Sequence, residues 1–336
     1  MVGAALAGGC VPFPTDPEPE LPPQLSPRTP WRGLFELALA LAREDRPALE
    51  PRAARARLRA LALRCEAELE RTGEEPARAI ARVLFDRRTG LAPAVVPRSE
   101  LDPATFDVDR VLATGRGACL PIAIVALAVC EQLGLEALPL LSPTHAAVWI
   151  EPGRVLDPAL GGLRIGPLGD ARRGRDRPAS PDEVAAALLA NRAAVRRAAG
   201  RVEAARLDLE RALELVPESF TARLNLAVAL LDLGEHERAR ALLEELEASG
   251  ASSALVAYNL GVLAAREGTL GVARHWYRIA LERDPKLVAA HVNLGAVCLA
   301  LEDREAARAA FAAALALDPD NARARDGLRR TAGASQ

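Results

Sequence analysis

Residues Asn259–Pro285 read NLGVLAAREGTLGVARHWYRIALERDP, and Asn293–Pro319 read NLGAVCLALEDREAARAAFAAALALDP. The two stretches start 34 residues apart and agree in where the small, aromatic and proline residues fall. Gly261 recurs as Gly295. The same spacing runs backwards along the chain. Ala205, Ala239, Ala273 and Ala307 share one lattice, and Leu209, Leu243, Tyr277 and Phe311 share another. Pro217, Pro285 and Pro319 close three of four units, with Ala251 standing in the second. Units this short cannot bury their apolar faces alone, so neighbours must stack. Small alanines let paired helices approach, the aromatic plugs the gap between units, and proline ends each second helix. Residues 184–330 are therefore predicted to form an all-α solenoid of four helical pairs, the first degenerate.

The pattern NLG…A…Y/F…A…P resembles the tetratricopeptide repeat, which implies a protein or peptide partner. One repeated position is polar. Asn191, Asn225, Asn259 and Asn293 stand at the same place in all four units. Each amide offers a donor and an acceptor, the complement of a peptide bond. The row resembles the asparagine ladders with which some helical-repeat proteins grip an extended peptide. The alternative is that each asparagine bonds its own neighbours.

Upstream of the repeats, residues 115–134 read GRGACLPIAIVALAVCEQLG, apolar nearly all round, which predicts a buried helix. Cys119 opens it, and Pro121 suits its first turn because the missing N–H would lack a helical acceptor there anyway. Three helical patterns precede it: WRGLFELALALARE, AARARLRALALRCEAELERTG ending at Gly73, and EEPARAIARVLFDRRTG ending at Gly90. Residues 91–118 read as mostly irregular, with a short helix around DVDRVLATG. After the buried helix, LEALPLL, THAAVWI and RVLDPAL are short strand patterns, the last two flanking the turn signal EPG.

Three residue types needed for thiol catalysis thus occur in order: Cys119 at a helix start, then His145 and Asp157 on successive strands. A helix N-terminus stabilises a thiolate, an imidazole accepts and returns its proton, and a carboxylate holds the ring in the useful tautomer. His145 and Asp157 share a face only if a bulge or a loop centred on Glu151, with an odd number of residues, joins the strands. From Trp31 to Ala118 no Gln or Asn stands ready to complete an oxyanion hole at Cys119, so backbone N–H groups at the helix start would serve. The bland reading is a buried thiol and a hydrogen-bonded core histidine.

RGACLPIAIVALAVCEQLGLEA, SPTHAAVWI and VLDPALGG together resemble the transglutaminase-like superfamily, and more closely its SirB-type branch, in which such a core precedes tetratricopeptide repeats. The resemblance implies an α+β transglutaminase-like (papain-like) core with a helical N-terminal part over residues 31–165, a linker over 166–183, and the repeats over 184–330. It implies Cys119 as nucleophile, His145 as base and Asp157 as its orienter. In many SirB-type members a proline occupies the cysteine position. The implied activity is acyl transfer or hydrolysis of an amide; the alternative is an inactive core acting as an adaptor through the repeats.

Composition narrows the classes further. The 336 residues carry 43 Lys and Arg against 45 Asp and Glu, a net charge of −2, which gives no electrostatic case for nucleic acid. Five cysteines show no CxxC spacing, and His236, His275 and His291 lack metal-ligand spacing, so neither metal nor cofactor is expected. Cys119 and Cys130, eleven residues apart on one helix, would stand roughly 16 Å apart, too far for a disulfide. No apolar run is long enough to span a bilayer. The N-terminal MVGAALAGGC ends in Ala7-Gly8-Gly9-Cys10, which resembles a bacterial lipobox with Cys10 as the lipidated residue. The proline-rich residues 11–30 read as its tether, with a start codon further upstream, and membrane attachment only through that lipid. On this reading the protein is a bacterial envelope lipoprotein; the alternative is a disordered cytoplasmic tail.

Overall fold

The computed structural model describes residues 33–86, 90–93, 105–142, 145–150, 154–158, 162–165, 177–250 and 253–332. Cys10 and the proline-rich segment lie outside them. The described chain divides into two compact units, one ending at Ala222 and the other beginning at Arg223.

The first unit opens with helices that follow the apolar spacing. α1 (Leu34–Asp45) buries Leu34, Phe35, Ala38, Leu39, Leu41 and Ala42. α2 (Pro51–Thr72) buries Ala54, Leu58, Leu61, Ala62 and Cys65, a stripe at helical spacing, and stops at Gly73 with φ of 60°. α3 (Pro76–Leu84) ends well before Gly90, where the sequence spacing places its stop. Gly90 instead lies so close to the Asp86 backbone that no Cβ would fit. α4 (Val108–Thr114) ends at Gly115 with φ of 72°. A short parallel bridge then joins β1 (Ala92–Pro93) to β2 (Arg116–Gly117) and leads the chain into α5 (Cys119–Gln132).

The sheet has the order β6-β5-β4-β3-β7, and every neighbouring pair is antiparallel. β3 (Ala137–Ser142), β4 (His145–Ile150) and β5 (Arg154–Asp157) are the three strands read from the sequence. β6 (Gly162–Ile165) and β7 (Arg177–Pro178) add the edges. α5 is buried from Leu120 to Cys130 without a break. It is covered by β3, β4 and β5 and by α1, α2 and α4.

β7 and the start of α6 (Pro181–Ala198) occupy the end of the stretch read as a linker. Ser180 caps α6 in a reciprocal box with Glu183. α6 packs on α7 (Val202–Leu215) and touches α1. A buried ion cluster joins these three helices. Asp208 of α7, fully buried, meets Arg196 at 2.8 Å and also pairs with Arg192. Arg196 reaches Asp45 of α1 at 2.9 Å, and Arg192 reaches Glu44 at 2.9 Å.

The second unit carries the repeats. The division falls inside α8 (Phe220–Leu233), which is followed by α9 (His236–Ala248), α10 (Ala254–Arg266), α11 (Leu270–Arg283), α12 (Val288–Ala300), α13 (Arg304–Leu317) and α14 (Ala322–Ala332). Each helix packs on its chain neighbour from α9 to α14. The aromatic of each unit lies on the glycine of its own first helix. A Cβ on Gly261 would fall 2.6 Å from the Tyr277 ring, and one on Gly295 would fall 2.7 Å from Phe311. Phe311 also fills the space over Gly327 of α14, so this ring plugs both the gap within its pair and the gap to the next helix. The first two units carry Ala193 with Leu209 and Ala227 with Leu243 at the same offsets. A smaller partner on the second helix thus goes with a larger residue on the first.

Gly261→Ala is expected to destabilise the second unit by about 1–3 kcal/mol through overpacking. Adding Tyr277→Leu should recover most of that loss, because it recreates the Ala–Leu pairing; a double-mutant cycle in urea reads the coupling. Asp208→Ala leaves two buried guanidinium groups without their shared carboxylate and should cost about 3–5 kcal/mol in the same measurement.

Candidate functional site

The site is built where α5 begins. Gly117 is buried against Val111 with no room for a Cβ, and the Ala118 N–H donates to the Thr105 carbonyl at 2.8 Å. These contacts hold Ala118 extended, with ψ of 164°, so that helix geometry starts at Cys119. Because α5 is apolar on all sides, its first turn is where the helix reaches the surface, and Cys119 there is half-buried. Cys65, Cys130 and Cys298 are buried free thiols. Burial pushes the Cys65 and Cys130 thiols up to about 12.

His145 opens β4 and Asp157 closes β5. Nε2 of His145 stands 2.7 Å from Oδ1 of Asp157, and the two residues are 2 % and 0 % exposed. The register explains the pairing. Ile150 faces Arg154, Trp149 faces Val155 and Val148 faces Leu156, so three residues join the strands and the register centres on residue 152. The odd count puts His145 and Asp157 on one face, as expected. The centre differs from the Glu151 reading, whose loop lies outside the described residues. Continued, this register sets Asp157 opposite Ala147 and diagonal to His145, within reach for an imidazole. Nε2 is thus the ring nitrogen turned to the carboxylate. His145 and Asp157 are therefore brought together directly, and Cys119 begins the helix that packs on β4.

The asparagines of the row have different surroundings. Asn259 donates to Leu255 O at 2.8 Å, one turn back in its own helix. Asn293 is buried among Tyr258 OH at 3.0 Å, Tyr277 OH at 3.5 Å and Arg323, which donates to its Oδ1 at 3.1 Å. Asn225 keeps a buried Nδ2 with no hydrogen-bond partner among the described residues. Asn191 lies in the first unit, on the wall of a cavity between α1, α4, α5 and α6 that the sequence does not announce.

Comparison with known proteins agrees with this architecture. A model of the transglutaminase-like superfamily matches residues 52–197. Models of the tetratricopeptide repeat match residues 196–260 and 288–321. No curated protein matches the chain. Among solved structures, MamA is 19 % identical, covers 41 % of this chain and 81 % of its own, with a TM-score of 0.37. YrrB, described as a TPR protein with an unusual peptide-binding site, is 23 % identical over 43 % of this chain and 75 % of its own, with a TM-score of 0.37. TTC0263, a thermophilic TPR protein of Thermus thermophilus, is 26 % identical over 44 % and 81 %, with a TM-score of 0.40. The chain thus carries a domain of the transglutaminase-like superfamily, residues 52–197, followed by tetratricopeptide repeats that extend to residue 321.

Proposed function

We propose that the transglutaminase-like domain performs thiol-dependent acyl transfer or hydrolysis on an amide, with Cys119 as nucleophile, His145 as base and Asp157 as its orienter. The observation that carries this reading is the buried His145–Asp157 contact of 2.7 Å on the strands against which the Cys119 helix packs. The chemistry starts from the thiol form of Cys119, from which His145 takes the proton. The Cys119 thiolate then attacks the amide carbonyl. His145 returns the proton to the leaving amine, and water or a second amine cleaves the thioester to an acid or a new amide. Backbone N–H groups at the start of α5 are the oxyanion donors.

The repeats present the protein or peptide on which the domain acts. Of the row we assign the half-buried Asn225 to the peptide backbone, whereas Asn259 and Asn293 serve the repeat's own packing. Within the superfamily we place the chain in the SirB-type branch, on the order of core and repeats. We read Cys10 as the lipidated residue of a bacterial envelope protein, on the Ala7-Gly8-Gly9-Cys10 pattern. A second reading is an inactive adaptor, favoured by the lack of a Gln or Asn in the stretch before Cys119 to complete an oxyanion hole.

Alkylation of the reduced protein separates the two. An ordinary thiol is only about 3 % thiolate at pH 7, so an activated Cys119 should label about thirtyfold faster than a free cysteine. Its rate should titrate with a midpoint well below the ordinary thiol value, and His145→Ala should move that midpoint back up. Cys65 and Cys130, pushed up to about 12, should stay silent in the folded protein. An ordinary midpoint unmoved by His145→Ala would establish the adaptor. For the repeats, Asn225→Ala should weaken binding of unstructured peptides about three- to tenfold with no change in unfolding midpoint.

A further inference from the structure

We propose that the protein pairs with a second copy of itself through the outward face of α2, the two helices lying side by side in opposite senses. The inward face of α2 is complete without a partner: Ala54, Leu58, Leu61, Ala62 and Cys65 are buried in the first unit. A second apolar row runs along the opposite side. Ala53, Ala56, Ala60, Leu63 and Ala67 follow one another at spacings of 3, 4, 3 and 4 residues, and all five are exposed. Leu63 is 63 % exposed, more than any other large apolar side chain among the described residues. A helix needs one apolar face to join its own fold; a second face with the alternation of a coiled-coil seam suits another helix.

The charges identify that helix. Residues 51–64 hold five arginines and no acid, whereas residues 65–72 hold three glutamates and one arginine. Along a single helix this order is the unfavourable one, because the N-terminal end is already positive and the C-terminal end negative. Contacts within the unit account for part of it: Arg55 meets Glu36 at 2.6 Å, and Glu68 meets Arg71 at 2.7 Å and Arg82 at 3.1 Å. Arg52, Arg57, Arg59, Glu66 and Glu70 have no ion-pair partner among the described residues. A copy of α2 in the opposite sense sets basic half against acidic half at both ends, and opposes the two macrodipoles as well. A bilayer or a nucleic acid would answer the arginines but repel Glu66 and Glu70 on the same face.

The fullest overlap of the two rows places Ala60 against the partner's Leu63 and Ala56 against the partner's Ala67. Arg59 and the partner's Glu66 then flank the seam on one side, and Arg57 and the partner's Arg64 flank it on the other. The first contact attracts and the second repels, and symmetry makes each occur twice. Parallel pairing is worse, since it sets Arg52 against the partner's Arg57 and Arg59 against the partner's Arg64.

Sedimentation equilibrium of the full-length protein in reducing buffer tests the proposal. A monomer–dimer equilibrium in the micromolar range is expected, because a single helix pair lies at the small end of protein interfaces. Arg59→Glu should weaken the dimer about tenfold, and combining it with Glu66→Arg should restore it. Arg57→Glu should act the other way and tighten the dimer about threefold or more, since it turns the repulsion from the partner's Arg64 into attraction. Leu63→Asp should leave only monomer. These side chains are exposed, so the unfolding midpoint of the monomer should stay in place. A protein still monomeric at about 1 mM would overturn the proposal, and binding of that monomer to phosphatidylglycerol vesicles would assign the face to a lipid surface instead. A dimer that Arg59→Glu and Arg57→Glu shift in the same direction would overturn it equally, because only the antiparallel register gives them opposite signs. The readout involves neither turnover nor peptide, so it succeeds or fails independently of the roles assigned to Cys119 and to the repeats.

Discussion

A helix with no polar face must be covered on every side, and the first unit is arranged around that requirement. Nothing on α5 between Leu120 and Cys130 tolerates water, so the sheet closes one side and α1, α2 and α4 close the others. At roughly 25 cal/mol per Å² of apolar surface, burying eleven consecutive residues is a large local gain for this unit. Covering the flanks leaves the ends. Cys119 therefore emerges at the first turn as a matter of packing, where the helix dipole and unpaired N–H groups already favour negative charge. The position that is physically forced is also the position suited to a reactive sulfur.

The repeats obey a different constraint, one of paired volumes. Where the first helix of a unit carries alanine, the second carries leucine; where the first carries glycine, the second carries an aromatic ring. The sum of sizes is kept and its distribution varies, which is what close-packed interiors demand. Larger rings bring hydroxyls with them. Tyr258 and Tyr277, with ring centres 5.8 Å apart, both meet the Asn293 amide, so a residue at the row's position becomes part of the core. The aromatic substitution thus changes what the neighbouring asparagine is for.

What is legible in the sequence is local. The stripe on α2, the stops at Gly73 and Gly115, the three central strands and the repeat period all follow from residues a few positions apart. His145 and Asp157 are legible as types and by parity; their actual stagger depends on which residue the hairpin turns about. The stop of α3 is misread because Gly90 resembles a helix terminator, whereas it is a site of close backbone contact beyond the helix. β7 has only two residues and no alternation to betray it. The ion cluster is out of reach for another reason: Arg196 finds Asp45 at a separation of 151 residues, and no periodicity links them. The same holds for Arg46 and Asp109, 63 residues apart. Surface arginines look alike in a sequence, and only tertiary packing tells which are buried.

The cluster around Asp208 bears on how such an array can grow. Tandem repeats lengthen by duplicating a unit in place, and a copied unit must find its old neighbours again. A second copy of α6 would carry its two arginines into the stack without a second α1 to neutralise them. Duplication of the opening pair is thereby penalised, whereas units further along meet only others of their kind. Any lengthening of this protein over evolutionary time is steered away from the end nearest the sheet.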